Sequence, residues 1–253
     1  MEKMVSIIII TFGKWDLTKQ CLDSLFNAGI KQKIEVIVVD NGSKDNTVKE
    51  LKKDKRVKLI INHAGSHFSN GCNVGVKHST GEYLLFLNND TIIKDDFLTP
   101  MVNRIGINGV GIVGARCLYQ DGTIQHCGVG IKKNSGPVHV YKRWPGTADE
   151  VMIPRYYQSV TAACMLVERK IFKKIGGFDE VFKTGKEDVD FCLKAGKAGV
   201  RILYEPLACI THLEHQSPGR HKFDDYNRKI YKSRWRGKVR PDMASIVKLQ
   251  NAI

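Results

Sequence analysis

YLLFLNND, at residues 83–90, is the stretch that decides the fold. Its apolar and aromatic residues run without polar alternation and end in Asn88, Asn89 and Asp90. Such a run predicts a strand buried on both faces, as in a parallel sheet covered by helices. Ligands bind at the carboxyl ends of such strands, so we expect Asp90 at a crevice, where a carboxylate beside amide oxygens suits a hard divalent cation. The alternative interpretation is a simple Asx turn after the strand.

The length and composition are those of a globular chain. It has 253 residues, of which 42% are hydrophobic, enough for one large α/β domain or two small ones. The longest apolar stretches, 5–10 and 34–39, are well short of the roughly 18–20 residues that span a bilayer, and no signal-type core follows the N-terminus. Seven scattered cysteines include no Cys-x-x-Cys pair, which indicates reduced thiols. We therefore expect a soluble, cytoplasmic protein.

The chain is strongly basic, with a net charge of +14. About half of the excess lies in residues 220–240, where nine Lys and Arg residues accompany two acids. Nucleic acid, phosphorylated small molecules and acidic lipid would each match this charge. The charge alone does not choose among them.

Hydrophobic patterning predicts that strands and helices alternate up to residue 90. The predicted strands are 5–10, 34–39, 57–61 and 83–87. The predicted helices are one capped by Asp16 and two more at 45–54 and 70–79. This alternation predicts an α/β fold with a mostly parallel sheet and right-handed crossovers. We therefore expect the strand ends at Thr11, Asp40 and Asn88 to meet along one edge.

After Asp90 the pattern is less regular. Asp121-Gly122 favours a tight turn in a hairpin over 118–130, and the Pro-, Gly- and Lys-rich residues 132–157 predict a long surface loop that meets the second substrate. The other predicted elements are helices at 97–105, 170–175 and 187–198 and strands at 111–115, 159–168, 200–204 and 207–211.

Taken together, these segments resemble the inverting glycosyltransferases of family 2, which have the GT-A fold. The matching segments are VSIIIITFG at 5–13, VIVVDNGSKDNT at 36–47, NGCNVGVKHSTGEYLLFLNNDT at 70–91, DGTIQHCGVGI at 121–131, TAACMLVERKIFKKIGGFDEVF at 161–182, GKEDVDFCLKAGKAG at 185–199 and YEPLACITHLEHQS at 204–217. They look most similar to the rhamnosyltransferase-like and galactofuranosyltransferase-like branches. The resemblance implies a GT-A domain over 1–217, with a nucleotide-binding half (1–115) and an acceptor-binding half (116–217), followed by a basic helical tail over 218–253.

The resemblance also implies a metal-dependent reaction. A sugar would pass from a nucleoside-diphosphate donor (UDP, dTDP or GDP) to a hydroxyl of a glycan, lipid-linked or protein acceptor. By this similarity Asp90 and His212 hold the metal, with His215 as a nearby competitor for the histidine role. An imidazole beside a carboxylate favours Mn²⁺ over Mg²⁺. Where relatives have Asp-x-Asp this chain has Asn88-Asn89-Asp90, so the first group accepts hydrogen bonds without contributing charge.

The candidate general base opens a predicted helix. Glu187 and Asp188 begin the segment at 187–198, where the helix dipole favours ionised carboxylates. Loss of the acceptor's proton requires a base facing the sugar carbon. The resemblance implies that Asp188 is this base and that Glu187 supports it or binds the acceptor. For Asp190 we favour a structural role, as an i,i+4 partner of Lys194.

The resemblance places the donor nucleotide sugar among six residues. Asp40 is expected to accept a hydrogen bond from the base edge, and Thr11 and Asn73 to line the pocket. The remaining expected donor-site residues are Asn88, Asn89 and Ala162. Ala162-Ala163 stands where relatives have Gly-Ala, which narrows the sugar pocket slightly.

The basic tail has two interpretations. Its aromatic residues at roughly helical spacing could place a helix on an anionic membrane, at the inner membrane face. Alternatively, the helix could pack on its own domain and expose a cationic face to solvent.

Two other function classes are a sugar nucleotidyltransferase, which should carry a Gly-rich loop after the first strand, and a basic nucleic-acid-binding protein. Thr11 to Lys14 offers no such loop, and nucleic-acid binding gives Asp90 and Asp188 no role, so we expect no nucleic-acid partner.

Overall fold

The fold is built from strands and helices that alternate through its first half in the computed structural model, which describes residues 3–63, 67–214 and 220–250. The strands are β1 (Val5–Thr11), β2 (Ile34–Asp40), β3 (Lys58–Ile61), β4 (Tyr83–Asn88), β5 (Thr91–Ile92), β6 (Val110–Leu118), β7 (Ile124–His126), β8 (Val129–Ile131), β9 (Pro137–His139), β10 (Arg155–Tyr157), β11 (Cys164–Glu168) and β12 (Arg201–His212). The helices are α1 (Trp15–Asn27), α2 (Thr47–Leu51), α3 (Phe68–Lys77), α4 (Leu98–Val102), α5 (Arg169–Ile175), α6 (Glu187–Lys197), α7 (Asp224–Trp235) and α8 (Met243–Gln250). Short 3-10 turns lie at Ile107–Gly109, Asp149–Val151 and Arg220–Phe223.

Strand β4, predicted from YLLFLNND, lies inside a sheet that has ten strands among the described residues. Its main path runs β10-β12-β6-β11-β4-β1-β2-β3, with β5 paired to β12 and β7 to β6. β1 is parallel to both β2 and β4, and β2 is parallel to β3, which confirms the predicted parallel half. β11 runs antiparallel to β4 and to β6, so the sheet as a whole is mixed.

The apolar residues of β4 do not alternate with polar ones because helices cover both faces of the sheet. Leu85 and Leu87 belong to the core cluster on the α1 face, whereas Leu84 and Phe86 belong to the cluster on the α5 and α6 face. All four are at most 1% exposed. Burying a side chain of this size contributes about 1.5–3 kcal/mol, so the strand is held firmly from both sides.

Helix α1 begins differently from the prediction. Asp16 is in its first turn, and the preceding Lys14 adopts a left-handed conformation with no side-chain cap. The backbone N–H of Trp15 instead donates to Oδ2 of Asp45, 3.4 Å away in the loop after β2. The cap therefore comes from a distant segment, which local spacing did not reveal.

The segment predicted as a long loop over 132–157 is more ordered than expected. It contains β9, which pairs with β8, and β10, which pairs with β12 at the sheet edge. Val140, Tyr141 and Val151 pack in a small core of their own together with Tyr157 and Tyr204.

The two strands predicted at 200–204 and 207–211 are one strand in the structure, β12, which has an irregularity between Glu205 and Cys209.

The basic tail packs on the domain. Tyr231 and Trp235 of α7 are buried in a cluster with Phe182, Val189 and Leu193. This apolar side of α7 is therefore covered by the protein itself, as in the second interpretation of the tail. Among the described residues, none of the helices combines the length and apolar character needed to cross a bilayer.

Candidate active site

The carboxyl ends of the parallel strands meet at one edge, as predicted. Thr11 at the end of β1 lies opposite Asp40 at the end of β2, and Ile10 lies opposite Asn88 at the end of β4. Asn89 and Asp90 follow directly. The polar residues singled out in the sequence therefore do gather along one rim of the sheet.

His212 joins Asp90 at this rim through strand pairing. β5, just after Asp90, runs antiparallel to the end of β12 and sets His212 opposite Thr91. Nε2 of His212 lies 3.0 Å from Oδ1 of Asp90, although the residues are 122 positions apart, and both side chains are buried. Nδ2 of Asn88 is 3.1 Å from the same Nε2. We call Asp90 and His212 the metal pair, after the role that the sequence predicts for them. His215, the other candidate, lies outside the described residues.

Gln125 orients the imidazole of the metal pair. Nδ1 of His212 lies 2.6 Å from Oε1 of Gln125, and Nε2 of Gln125 donates to the backbone oxygen of His212 at 3.2 Å. Because a carbonyl oxygen only accepts, Nδ1 of His212 donates to it, and Nε2 is the nitrogen that faces Asp90. Sequence reasoning missed Gln125, although it is a polar residue in the quoted DGTIQH segment.

The metal pair fits a divalent cation that also binds other ligands. Two neighbouring ligands of an octahedral ion with bonds of about 2.1 Å are about 3.0 Å apart, which is the spacing found here. No group of three or more His, Cys, Asp or Glu side chains within the described ranges could enclose a metal. The pair would therefore supply two of the six ligands of such an ion and leave the others to phosphate oxygens and water.

Asp188 approaches this rim of the sheet from helix α6. Its Oδ2 accepts from the backbone N–H of Ala162 at 3.2 Å, and its Oδ1 accepts from that of Val189 at 2.8 Å. The next residue, Ala163, accepts from the backbone N–H of Asn88 at 3.0 Å. Because Asn88 touches the metal pair, Asp188 is connected to it through one short run of contacts.

Glu187 and Asp190 make hydrogen bonds to neighbouring groups of the protein. Glu187 is buried, and its Oε2 accepts from the backbone N–H of Gly185 at 2.5 Å, which shapes the turn before α6. Asp190 is 1% exposed and accepts from Nε1 of Trp235 at 2.8 Å, with Nζ of Lys194 at 2.7 Å. The structural role favoured for Asp190 agrees with this geometry: it fastens α7 to α6.

Thr11 and Asn89 form one polar cluster below the rim. Oγ1 of Thr11 lies 2.8 Å from Oγ1 of Thr18, and Nδ2 of Asn89 donates to Thr18 at 3.0 Å. These hydrogen bonds fix the strand ends relative to α1. Asn89 is only partly buried, so its amide oxygen stays at the rim.

The side chains of Asp40 and Asn73 make hydrogen bonds to other groups of the protein. Oδ1 of Asp40 accepts from the backbone N–H groups of Gly42 and Ser43 at 3.0 Å each, and the Ser43 hydroxyl donates to Oδ2. The Asn73 amide bonds with the backbone of Phe178 and donates to Oε1 of Glu180 at 2.9 Å. Asn73 thus ties α3 to the GGFDE segment, and its place in the nucleotide pocket stays a prediction.

A histidine pair lies beside Asp188. Nδ1 of His126 and Nδ1 of His139 are 2.8 Å apart, and the backbone N–H of Thr161 donates to Nε2 of His126 at 3.2 Å. Burial lowers the pKa of His126 well below its ordinary value, so its ring is neutral. His139 is exposed and lies close enough to Asp188 for the charge of that carboxylate to act on it. Sequence reasoning included His126 in a matching segment but gave neither histidine a role.

Comparison with known proteins identifies the family. The model of "Glycosyl transferase family 2" matches residues 6–176, more than half of the chain. The chain belongs to glycosyltransferase family 2. It is 34% identical over 227 residues to an uncharacterised protein of Sinorhizobium fredii, 32% identical over 225 residues to an O-antigen biosynthesis protein of Myxococcus xanthus, and 28% identical over 247 residues to a rhamnosyltransferase of Escherichia coli. These alignments cover 85%, 84% and 84% of this chain.

The relatives differ greatly in length. This chain spans 25% of the Sinorhizobium protein, 17% of the Myxococcus protein and 84% of the Escherichia protein. Solved structures that share the fold include GalNAc-T7 with UDP, GalNAc and Mn²⁺, which matches with a TM-score of 0.72 and 16% identity over 92% of this chain and 51% of that chain. They also include a mannosyltransferase of Pyrobaculum calidifontis with GDP-Man and Mn²⁺, which matches with a TM-score of 0.64 and 18% identity over 88% of this chain and 60% of that chain. The predicted GT-A type of α/β fold is confirmed.

Proposed function

We propose that this chain is a metal-dependent inverting glycosyltransferase that moves a sugar from a nucleoside-diphosphate sugar to a hydroxyl of an acceptor. The observation that supports it is a short run of contacts, through Ala162, Ala163 and Asn88, that links Asp188 to the metal pair at the crevice expected where the parallel strands end. A nucleoside diphosphate is a poor leaving group unless its growing charge is neutralised, and the new bond needs a base at the acceptor oxygen. This crevice offers both.

Asp90 and His212 would hold Mn²⁺, or Mg²⁺, against the donor diphosphate. When bound, the ion supplies Lewis-acid stabilisation of the charge that develops on the leaving diphosphate. Gln125 keeps the His212 lone pair directed at the ion. Asn88 replaces a carboxylate of the usual motif with an amide, so this site carries one negative charge fewer than an Asp-x-Asp site.

Asp188 would take the proton of the attacking hydroxyl. Each of its oxygens accepts one backbone N–H, which fixes the plane of the carboxylate and leaves a further lone pair on each oxygen for the acceptor. Attack from the Asp188 side, opposite the diphosphate, inverts the sugar carbon. Glu187 would act indirectly, by shaping the turn that aims Asp188.

The donor nucleotide would lie along the rim formed by the ends of β1, β2 and β4. Thr11 and Asn89 would support its ribose and phosphates, and the buried Ala162 would border the transferred sugar. Asp40 would shape the loop after β2 through Oδ1 and accept from the base edge through the remaining lone pair of Oδ2. On this proposal residues 1–115 bind the nucleotide, 116–217 bind the acceptor and 218–253 form a helical tail.

The donor sugar and the acceptor are proposed from the relatives. The printed name of the Escherichia relative, a rhamnosyltransferase, motivates a hexose or deoxyhexose donor, and that of the Myxococcus relative motivates an acceptor in polysaccharide or glycoconjugate synthesis. A lipid-linked acceptor would bring the enzyme to the cytoplasmic face of a membrane. The buried apolar side of α7 argues against that helix inserting into the bilayer.

Two variants test the proposal in one experiment. The protein is screened with UDP-, GDP- and dTDP-sugars, with and without Mn²⁺, for thermal stabilisation and for release of the nucleoside diphosphate. Asp90→Ala should abolish the Mn²⁺-dependent stabilisation. Asp188→Asn should keep it and lose about 10²–10⁴-fold in turnover, the usual contribution of a general base.

The matched control is Asp95→Asn, which changes an exposed aspartate a few residues after Asp90. It should alter neither stabilisation nor turnover. Full turnover in Asp188→Asn would remove the base assignment, and Mn²⁺-dependent stabilisation that persists in Asp90→Ala would remove the metal assignment.

A further inference from the structure

A basic cavity lies outside the donor crevice. It has a volume of about 610 Å³ and is bounded by the turn between β8 and β9, by the residue before α6 and by one side of α7. Its lining contains five cationic side chains and no Asp or Glu. The five are Lys133, Lys186, Arg228, Lys232 and Arg236.

Most of these cations have no acidic partner. Arg228 pairs with Asp225 at 3.2 Å, and both side chains are largely exposed. For the other four, no carboxylate among residues 3–63, 67–214 and 220–250 lies within ion-pair distance. Like charges gathered around one space repel each other, and a bound anion would relieve that repulsion. Lys and Arg are the side chains that recognise phosphate groups, Arg through paired N–H donors.

Helix α7 exposes three of these charges along one side. Asn227, Tyr231 and Trp235 recur every four residues and are buried. Arg228, Lys232 and Arg236 follow each of them by one residue and are exposed. Because residues four apart share a helix face, one face of α7 anchors it and the adjacent face lines the cavity.

The opposite wall is held in place by hydrogen bonds. The hydroxyl of Tyr231 donates to the backbone oxygen of Ser135 at 2.9 Å, and the backbone N–H of Gly237 donates to Oγ of Ser135 at 3.2 Å. These contacts fix the turn between β8 and β9 against α7. The cavity is therefore an open space between two elements that these hydrogen bonds hold together.

The cavity adjoins the acceptor side of the active site. Lys186 is two residues from Asp188, so their Cα atoms are at most about 7.6 Å apart. The other wall, at Pro137, leads within two residues to His139, the histidine near Asp188. The donor diphosphate belongs at the metal pair, so a second phosphate site next to Asp188 would serve the other substrate.

We infer that this cavity binds a phosphate or diphosphate ester carried by the acceptor, close to the hydroxyl that is glycosylated. The inference rests on the proposed function, because it takes Asp188 as the point where that hydroxyl lies. It gives the acceptor a chemical class: a sugar or sugar chain joined to phosphate, with the anion held by α7 and Lys186 while the hydroxyl reaches Asp188.

The test uses the full chain, with EDTA present to keep metal away from the donor site. Geranyl diphosphate and inorganic diphosphate are titrated separately by calorimetry into the wild type, the cavity variant Lys232→Gln/Arg236→Gln and the control variant Lys52→Gln/Lys55→Gln. All four positions are exposed, so both double variants should fold. We expect wild type and control to bind geranyl diphosphate equally, and the cavity variant to bind it about 10- to 100-fold more weakly.

Three results would overturn the inference. Equal affinity of the cavity variant and the wild type for geranyl diphosphate would show that the cavity is not the site. Binding of inorganic diphosphate without the ester would indicate a site for the free anion. Co-sedimentation with phosphatidylglycerol vesicles that is lost in the cavity variant, while geranyl diphosphate binding is unchanged, would indicate a membrane-contacting surface.

A separate measurement keeps this inference distinct from the proposed function. Mn²⁺-dependent binding of the nucleotide sugar should be the same in the cavity variant and the wild type, because Lys232 and Arg236 are not part of the donor crevice. If no nucleotide sugar binds with Mn²⁺ to any of the proteins, the proposed function fails whatever the cavity binds.

Discussion

Replacing Gln125 by Leu tests how the metal pair is held. The side chain accepts the Nδ1 proton of His212 at 2.6 Å and donates to the backbone oxygen of the same residue at 3.2 Å. Leu has a similar volume but can neither accept nor donate a hydrogen bond. Without the acceptor, the imidazole is free to carry its proton on Nε2, which then cannot bind a cation.

The expected loss follows from what such partners contribute elsewhere. Removing a group that orients a metal-bound histidine typically costs 10- to 100-fold in metal affinity, or about 1.4–2.7 kcal/mol. For Gln125→Leu we expect a loss in this range. The variant should also be less stable to urea by about 1–3 kcal/mol, because the buried partners of Gln125 lose their hydrogen bonds.

The assay is a Mn²⁺ titration followed by the electron paramagnetic resonance signal of free Mn²⁺, with the donor nucleotide at saturation. Gln125→Glu retains an oxygen that can accept the Nδ1 proton, so it should bind Mn²⁺ far better than Gln125→Leu. Gln32→Leu makes the same chemical change before β2, at the opposite end of that strand from Asp40, and should have no effect. Wild-type Mn²⁺ affinity in Gln125→Leu, or equal losses in both Gln125 variants, would refute the role of the acceptor oxygen.

Two further predictions concern groups beside the site. Asp190→Ala should lower stability by about 3 kcal/mol and Tm by about 6–12 °C in calorimetry, because Trp235 Nε1 and the Arg234 guanidinium lose a buried partner. His126→Gln should flatten the pH dependence of stability, measured by urea unfolding between pH 7 and 5. The lowered pKa of His126 means that the unfolded chain binds the proton more readily, so stability is present above about pH 6.5 and is lost as the pH falls.

Each of these has a control in the same chain. Asp23→Ala removes an aspartate whose partners, Lys19 and Arg56, are well exposed, so it should change stability by at most about 1 kcal/mol. His78→Gln replaces an exposed histidine and should leave the pH profile unchanged. Equal losses in Asp190→Ala and Asp23→Ala would contradict the role of Asp190 as a buried tie between α6 and α7. Identical pH profiles in the two histidine variants would contradict a neutral, buried His126.

The predictions that held rested on local patterns. Unbroken apolar runs identified β1, β2 and β4, because a strand covered on both faces needs apolar residues at every position. Gly176, with its positive φ, ended α5 where the sequence indicated. The prediction that Asp16 caps α1 was wrong because the actual acceptor, Asp45, comes from another loop.

The sequence by itself determined the α/β class, the polar residues at the ends of the parallel strands and the segments typical of family 2. Only the tertiary structure decided that His212 meets Asp90, that Gln125 orients it, that α7 packs on α6 and that cations gather in one cavity. The physical reason is the sequence separation between the residues that interact. Apolar periodicity reflects what each segment buries, whereas contacts between residues 87 or 122 positions apart depend on strand order, register and packing that local spacing does not encode.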